Sequence, residues 1–415
     1  MPDSAKVRPA EVGAPEPGLR SDEIIARAQA LIRPTRDQQD EAERLGHHTD
    51  ALDREFVKAG FYRILQPRRF GGYEFDLPTF WKVTLAIAAG DPGTGWALTL
   101  GAHHALTLGA FFSEEGQRDI FGSAGDFRGP HRALPGGTAE PVDGGYVVTG
   151  TWDYSSGIAH ATHFMANAIV PGGDGSDQPA IVVIAMPKHE VTVLDDWGDG
   201  ATLGMNSSGS NSVRVDGVFV PAHRACDGNW TRLTGAAPGA ALHGNLMYCG
   251  RIYAVFHAGL VIPVIGAARA ALDEFEQIIT TKKTYFPPQV MRYTHPDHQR
   301  QYGYALALTD SAEGLLLRVG EMYMELCERW ERTGDPFSRE ADVRLYTMVQ
   351  QAGQLAGQAV DVIFAAAGSS AAKRGQRLQR YYRDVAMYRG HIASQYLNTA
   401  GELARVHFGL PDTLF

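Results

Sequence analysis

Imidazoles, hydroxyls and indoles recur along this chain at spacings suited to moving protons beside a flat ligand. Near the C-terminus, His391 stands seven residues after the pair Arg383-Asp384. A neutral imidazole has an unperturbed pKa of about 6.5 and can take up and return a proton at physiological pH. Far upstream, Trp96 and His104 are eight residues apart on a predicted helix. That is close to two turns, so they share one face. The adjacent His103 must then point elsewhere, because neighbouring residues cannot share a helix face.

Three small-residue blocks could hold a ligand. Gly150-Thr151-Trp152-Asp153-Tyr154-Ser155-Ser156-Gly157 ends a predicted strand with aromatics, hydroxyls and a glycine. Its rings supply a flat wall, and Ser156 with nearby amides can bond a planar cofactor's polar edge. Read alone, the block is equally a strand end with core aromatics. Residues 201–211, ATLGMNSSGSN, are similarly small and polar. Ala367-Gly368-Ser369-Ser370 leaves backbone groups free to meet a phosphate, or simply turns between two helices.

Familiar nucleotide and hydrolase motifs are missing: no GxGxxG, no GxxxxGK[ST], no GxSxG. His160-Ala161-Thr162-His163 and His295-Pro296-Asp297-His298 have metal-like spacing but no supporting Cys or carboxylate constellation, so no metal is expected. A net charge of -9 disfavours nucleic acid and anionic membranes. Cys226, Cys249 and Cys327 are scattered and imply neither a disulfide framework nor a zinc site, which makes a reducing cytoplasm the expected location. No apolar run approaches the roughly 18–20 residues that span a bilayer.

The elements that must position these residues fall into three segments. Residues 1–20, rich in Pro, Gly and Ala, read as a disordered tail without the apolar centre of a signal peptide. Residues 21–128 show helical periodicity, with Gly60 closing one helix and Thr94 able to cap another near Gly95. Residues 129–238 change to β grammar: the turn Asp143-Gly144-Gly145, then β-branched runs at 146–149, 181–186, 191–194 and 213–220, as in a β-barrel or sandwich. Residues 239–415 return to helices near 241–283, 298–333, 339–367 and 376–408, a four-helix bundle, with Ser338 as an N-cap.

In this order the motifs GDPGTGW (90–96) with His104, DGGYVVTGTWDYSSG (143–157), GSNSVRVDGVFVPAHR (209–224) and GSS…LQRYYRD…H (368–391) resemble the acyl-CoA dehydrogenase fold, an α+β architecture. Within it the chain is similar to the oxygenase components of two-component flavin-dependent monooxygenases, the 4-hydroxyphenylacetate 3-hydroxylase-like group. That resemblance spans residues 22 to the C-terminus. It implies reduced flavin (FMNH2 or FADH2) supplied by a separate NAD(P)H:flavin reductase. It also implies reaction with O2 through a flavin C4a-hydroperoxide, oxygen transfer to an aromatic, phenolic substrate, and a homotetramer.

Carried over residue by residue, the resemblance places Trp152, Ser155 and Ser156 against the flavin and Gly368, Ser369, Ser370 and Arg292 at its phosphate or ring. Trp96, His104, His131 and Arg251 fall on the substrate side. His391 stands where dehydrogenases carry glutamate, on the reactive face, as the base, with His104 orienting substrate and Ser156 near N5. His131 falls where relatives carry serine or asparagine, and Gln395 and Asn398 follow His391 where relatives carry a carboxylate. The alternatives of the same fold are sulfur or nitrogen oxygenation and acyl-CoA dehydrogenation. A scaffold that binds no flavin is a further possibility.

Overall fold

The computed structural model describes residues 12–122, 124–172, 180–230, 233 and 235–410. Six helices open the chain: α1 (Ser21–Asp37), α2 (Gln39–Leu45), α3 (Asp50–Ala59), α4 (Leu77–Gly90), α5 (Pro92–Phe111) and α6 (Glu114–Phe121). Residues 1–11 of the expected tail lie outside the described residues. Residues 12–20 are in place, because Val12 bridges to Phe70 and Glu16 pairs with Arg27 at 2.7 Å. The expected tail is therefore shorter at its inner end.

Local chemistry sets the helix ends. Thr49 caps α3 by accepting from the Leu52 N–H, and Gly60 ends it at φ 85, a left-handed conformation natural to glycine. α5 starts earlier than expected. Asp91, not Thr94, is the cap: its carboxylate accepts from the Thr94 N–H at 2.9 Å, and Pro92 fills the first turn.

The β-segment forms one sheet among the described residues. Its strands are β1 (His131–Arg132), β2 (Gly137–Val142), β3 (Gly145–Trp152), β4 (His163–Val170), β5 (Ala180–Pro187), β6 (Thr192–Val193), β7 (Val213–Pro221) and β8 (Ala225–Asp227). The order is β6-β7-β3-β2-β4-β5-β8, with β1 added parallel to β4. The β2–β3 hairpin closes Val142 onto Gly145 through Asp143-Gly144, with Gly144 at φ 80 as such a tight turn requires. Parallel pairing sets His131 opposite Met165, within reach of Asn167 two residues on in β4.

Then come α7 (Pro238–His243), α8 (Tyr253–Thr281), α9 (Pro296–Thr333), α10 (Arg339–Ala367), α11 (Arg377–Arg389) and α12 (Tyr396–His407). Ser338 caps α10 as expected, accepting from the Ala341 N–H. The bundle differs from expectation at both ends: its first long helix starts at Tyr253, and its fourth is broken into α11 and α12. His391 therefore stands in the break and not on a helix.

α8 is long and apolar enough to cross a membrane, contrary to the expectation that no run would be. However, 89% of its most apolar stretch is buried inside the fold. It packs against α4, α5, α9, α10 and α11, so its apolarity serves the core. Each fully buried Leu, Ile, Val or Phe there contributes about 1.5–3 kcal/mol.

Candidate active site

Two loops bring the first residues together. Tyr154 at φ 59 and Gly157 at φ 86 turn the chain sharply after β3. The turn is held when Ser155 N–H donates to the Asn211 carbonyl at 3.1 Å and Gly157 N–H to the Ser208 carbonyl at 2.9 Å. Ser156 Oγ thus lies 2.7 Å from Ser210 Oγ, which lies 2.6 Å from Ser208 Oγ. From α5, the Trp96 indole donates to Ser156 Oγ at 3.0 Å.

The His391 ring lies 5.9 Å from Trp96, edge to face. Burial, reinforced by the charge of Arg132, pushes its pKa down to about 4. It is therefore neutral at pH 7 and a weaker base than an exposed imidazole. Neighbouring His257 stacks on Tyr346 at 3.9 Å, donates from Nδ1 to the Tyr253 carbonyl and is likewise lowered by burial to about 4.

A second cluster gathers around Phe256 of α8. The rings of His103 and His104 lie 5.5 Å from it, His131 5.7 Å and Trp230 6.3 Å. His103 points inward beside His104, against the sequence expectation. α5 is buried on nearly every side, between the β-domain and α8, so it has no outward face. Their rings lie 3.9 Å apart.

Each of these imidazoles is tied down at one nitrogen. His103 Nδ1 donates to the Thr99 carbonyl (3.1 Å), His104 Nδ1 to the Gly129 carbonyl (2.8 Å) and His131 Nε2 to Asn167 Oδ1 (2.9 Å). Burial keeps all three neutral: His103 is lowered to about 3, His131 to about 4, and His104 well below its ordinary value. The second nitrogen of each, and Trp230 Nε1, is buried without a partner. Unpaired buried polar atoms are uncommon, and each calls for an explanation.

Arg132 stands beside these groups. Its Nε is buried without a partner, and among the described residues it forms no ion pair, although Asp153 acts on it electrostatically. A half-buried, unneutralised guanidinium favours an anionic ligand, and its charge lowers both His131 and His391.

Other predicted site residues fall elsewhere. Trp152 is 1% exposed, with its N–H on the Asn167 carbonyl. Its indole lies bedded against Gly136, Gly137 and Gly150, where any added Cβ would collide with the ring. No face is left for a flavin, so Trp152 belongs to the β-domain core. Ser155 is fully buried behind it, its Oγ on the Trp152 carbonyl. Arg251 donates to the carbonyls of Phe337 and Leu233 and lies over Trp330 at 5.9 Å, which commits it to the base of the bundle and not to the pocket.

Gly368, Ser369 and Ser370 form a separate exposed corner. There Arg292 donates to the Ala367 carbonyl at 3.1 Å and Lys282 reaches Ser370 Oγ at 3.5 Å.

His48, Asp53 and His160 also approach one another, with their donor atoms all within 4.8 Å. Asp53 already accepts from Tyr62 (2.7 Å) and Arg128 (2.9 Å), and that guanidinium opposes a second cation.

Phe256, His257, Trp230, Asn167 and Arg132 carried too little sequence signal to be found, whereas Ser210 belongs to the small polar block 201–211 already singled out. The one available clue was Phe256-His257 inside an otherwise apolar helix. Their meaning comes from three elements that meet only in space.

Residues 258–396 match the model of the acyl-CoA dehydrogenase C-terminal domain. The chain is 27% identical to the flavin-dependent monooxygenase oxygenase subunit HsaA of Rhodococcus jostii, covering 94% of this chain and 99% of that one. It is 24% identical to the p-hydroxyphenylacetate 3-hydroxylase oxygenase component of Acinetobacter baumannii, over 96% and 92% of the two chains. The crystal structure of 3-HSA hydroxylase from Rhodococcus sp. RHA1 superposes with a TM-score of 0.84 at 28% identity, over 94% of this chain and 98% of that one.

Proposed function

We propose that this chain, an oxygenase subunit of the two-component flavin-dependent monooxygenases, hydroxylates a small phenolic arene. Reduced flavin, when bound, would supply the two electrons that let one atom of dioxygen go to the substrate ring and the other leave as water. The observation that carries the reading is the meeting of Trp96, Ser156 and His391 beside a shell of bare imidazoles.

The residues present fit such a cofactor. Ser156, fixed between Trp96 and Ser210, offers its hydroxyl at the ring's polar edge, and Arg132 offers the charge an anionic reduced flavin calls for. His391, neutral at pH 7, takes the phenol proton as the ring becomes nucleophilic. His104 holds the substrate hydroxyl, while Phe256 and Trp230 exclude water.

A separate NAD(P)H:flavin reductase, FMN or FAD as the flavin, a homotetramer through the C-terminal bundle and a cytoplasmic location complete the proposal. Arg292 and Lys282 beside Ser370 are the cations suited to the flavin phosphate. Stopped-flow mixing with reduced flavin and oxygen tests the reading. A long-lived absorbing species distinct from oxidised flavin supports it, and immediate reoxidation with release of peroxide overturns it.

A further inference from the structure

Cys249 and Cys327 are far apart in sequence but meet in the fold. Leu246–Tyr248 form a single 3-10 turn just ahead of α8, and Cys249 closes it. The Cys249 sulfur lies 3.6 Å from the Tyr323 hydroxyl of α9. Cys327 stands one helical turn further along α9 and so shares that face. Its thiol donates to the Leu246 carbonyl at 3.3 Å, back into the same turn. Tyr323 donates to the Met247 carbonyl at 3.1 Å and fixes the turn against the helix. Both thiols are therefore held between one turn and one helix face, in contact with each other.

The two sulfurs are not equivalent. Cys249 is held below the ordinary thiol value by its bonding to Cys327, which outweighs the cost of burial. The Arg251 backbone N–H, Tyr323 and the Arg251 charge add to that effect. Cys327 is pushed up by the same contact and by burial. The thiolate is the sulfur nucleophile, and a thiol of this kind beside a resolving partner is poised for oxidation. The third cysteine, Cys226, lies on β8, and burial pushes its thiol up.

We propose that Cys249 and Cys327 form an intramolecular disulfide when the protein meets hydrogen peroxide. This goes beyond the hydroxylation reading and stands without it. The Cys249 sulfur attacks one peroxide oxygen, the O–O bond breaks, and the other oxygen leaves as water with the Cys249 proton. The Cys327 sulfur then displaces the oxygen from Cys249, which leaves as a second water with the Cys327 proton. The thiol pair loses two electrons, and the peroxide gains them. Cys249 is fully buried and Cys327 nearly so, which admits an oxidant close to water in size and keeps out larger thiols.

The test treats the protein with hydrogen peroxide, unfolds it in guanidinium chloride, alkylates it and digests it without reductant for mass spectrometry. A linked peptide pair carrying Cys249 and Cys327 is expected, with Cys226 still alkylated, and dithiothreitol returns both thiols. Cys327→Ser abolishes the link and leaves a Cys249 sulfenic acid that dimedone traps, whereas Cys226→Ser keeps the link. The oxidised protein should melt about 5 °C higher, because the bond closes a long loop over α8 and most of α9. Full alkylation of both thiols in the unaltered protein, or a link that joins Cys226 instead, overturns the proposal whether or not the variants fold. A link that lowers the melting temperature also overturns it, since such a bond forms only by distorting the fold.

Discussion

α5 carries two buried polar clusters, one at its N-terminal cap and one about three turns further on, and they differ in how their hydrogen bonds close. At the cap, Asp91 accepts from Thr94 and Ser207, and Asp384 accepts from the Met205 N–H at 2.6 Å. Arg380 reaches Glu43 and Gln39, and Arg383 reaches Glu43 and the Leu203 carbonyl. These bonds join α2, α5, α11 and the 201–211 loop. At the other end, His103, His104, His131 and Trp230 each keep a buried nitrogen unpaired. The closed cluster ties the elements together, and the open one keeps unpaired nitrogens in the region proposed as the site. Arg383-Asp384 is thus a clamp between α11, which ends before His391, and both α2 and the 201–211 loop.

The sharpest way to break this contrast is Arg380→Ala, which leaves Glu43 and Asp40 without their shared cation. Asp40 is exposed and Glu43 keeps Arg383, so the loss should be about 1–3 kcal/mol, chiefly from the buried hydrogen bonds of Arg380. Denaturant unfolding is expected to show that loss, and an unchanged midpoint would deny the clamp.

His391→Ala is the counterpart. Product formation per reduced flavin consumed should fall about a hundredfold, with peroxide released instead, because general-base catalysis is lost. The melting temperature should hold, since the break between α11 and α12 contributes little core.

Acid titration sharpens the comparison next. His103, His131, His257 and His391 have folded pKa values of about 3 to 4, below the unfolded 6.5. Their contribution to stability is therefore complete above about pH 6.5 and is lost as pH falls towards 4, where the unfolded chain binds more protons. Each pKa unit corresponds to about 1.4 kcal/mol. Melting temperature should drop between pH 6.5 and 4.5, and more shallowly in His131→Asn. A slope unaffected by that substitution would contradict the assignment.

The smallest effect belongs to Trp230→Phe. Its indole N–H has no partner among the described residues, so stability should change by less than about 0.5 kcal/mol.

Much of the frame was legible. The change from helical to β periodicity and back marked three segments, the Asp143-Gly144 turn and the Ser338 cap fell where expected, and Trp96, Ser156, His104 and His391 were singled out. The errors share one cause. Trp152 read as a cofactor wall because its bed of Gly136, Gly137 and Gly150 assembles only when β2 and β3 pair. His103 read as outward because pairing rules on one helix say nothing of a helix enclosed on all sides. Arg251 is consumed by carbonyls from Leu233 and Phe337, distant in sequence.

The sequence by itself determined the element types, most caps and turns, and which residues were able to do proton chemistry, because propensity and periodicity act over a few neighbouring residues. Only the tertiary structure decided which nitrogens are paired, which imidazoles stay neutral and which charge goes unanswered. Those properties depend on burial and on partners brought from α5, β1, β4 and α8 into one shell, and no local window of the chain contains all four.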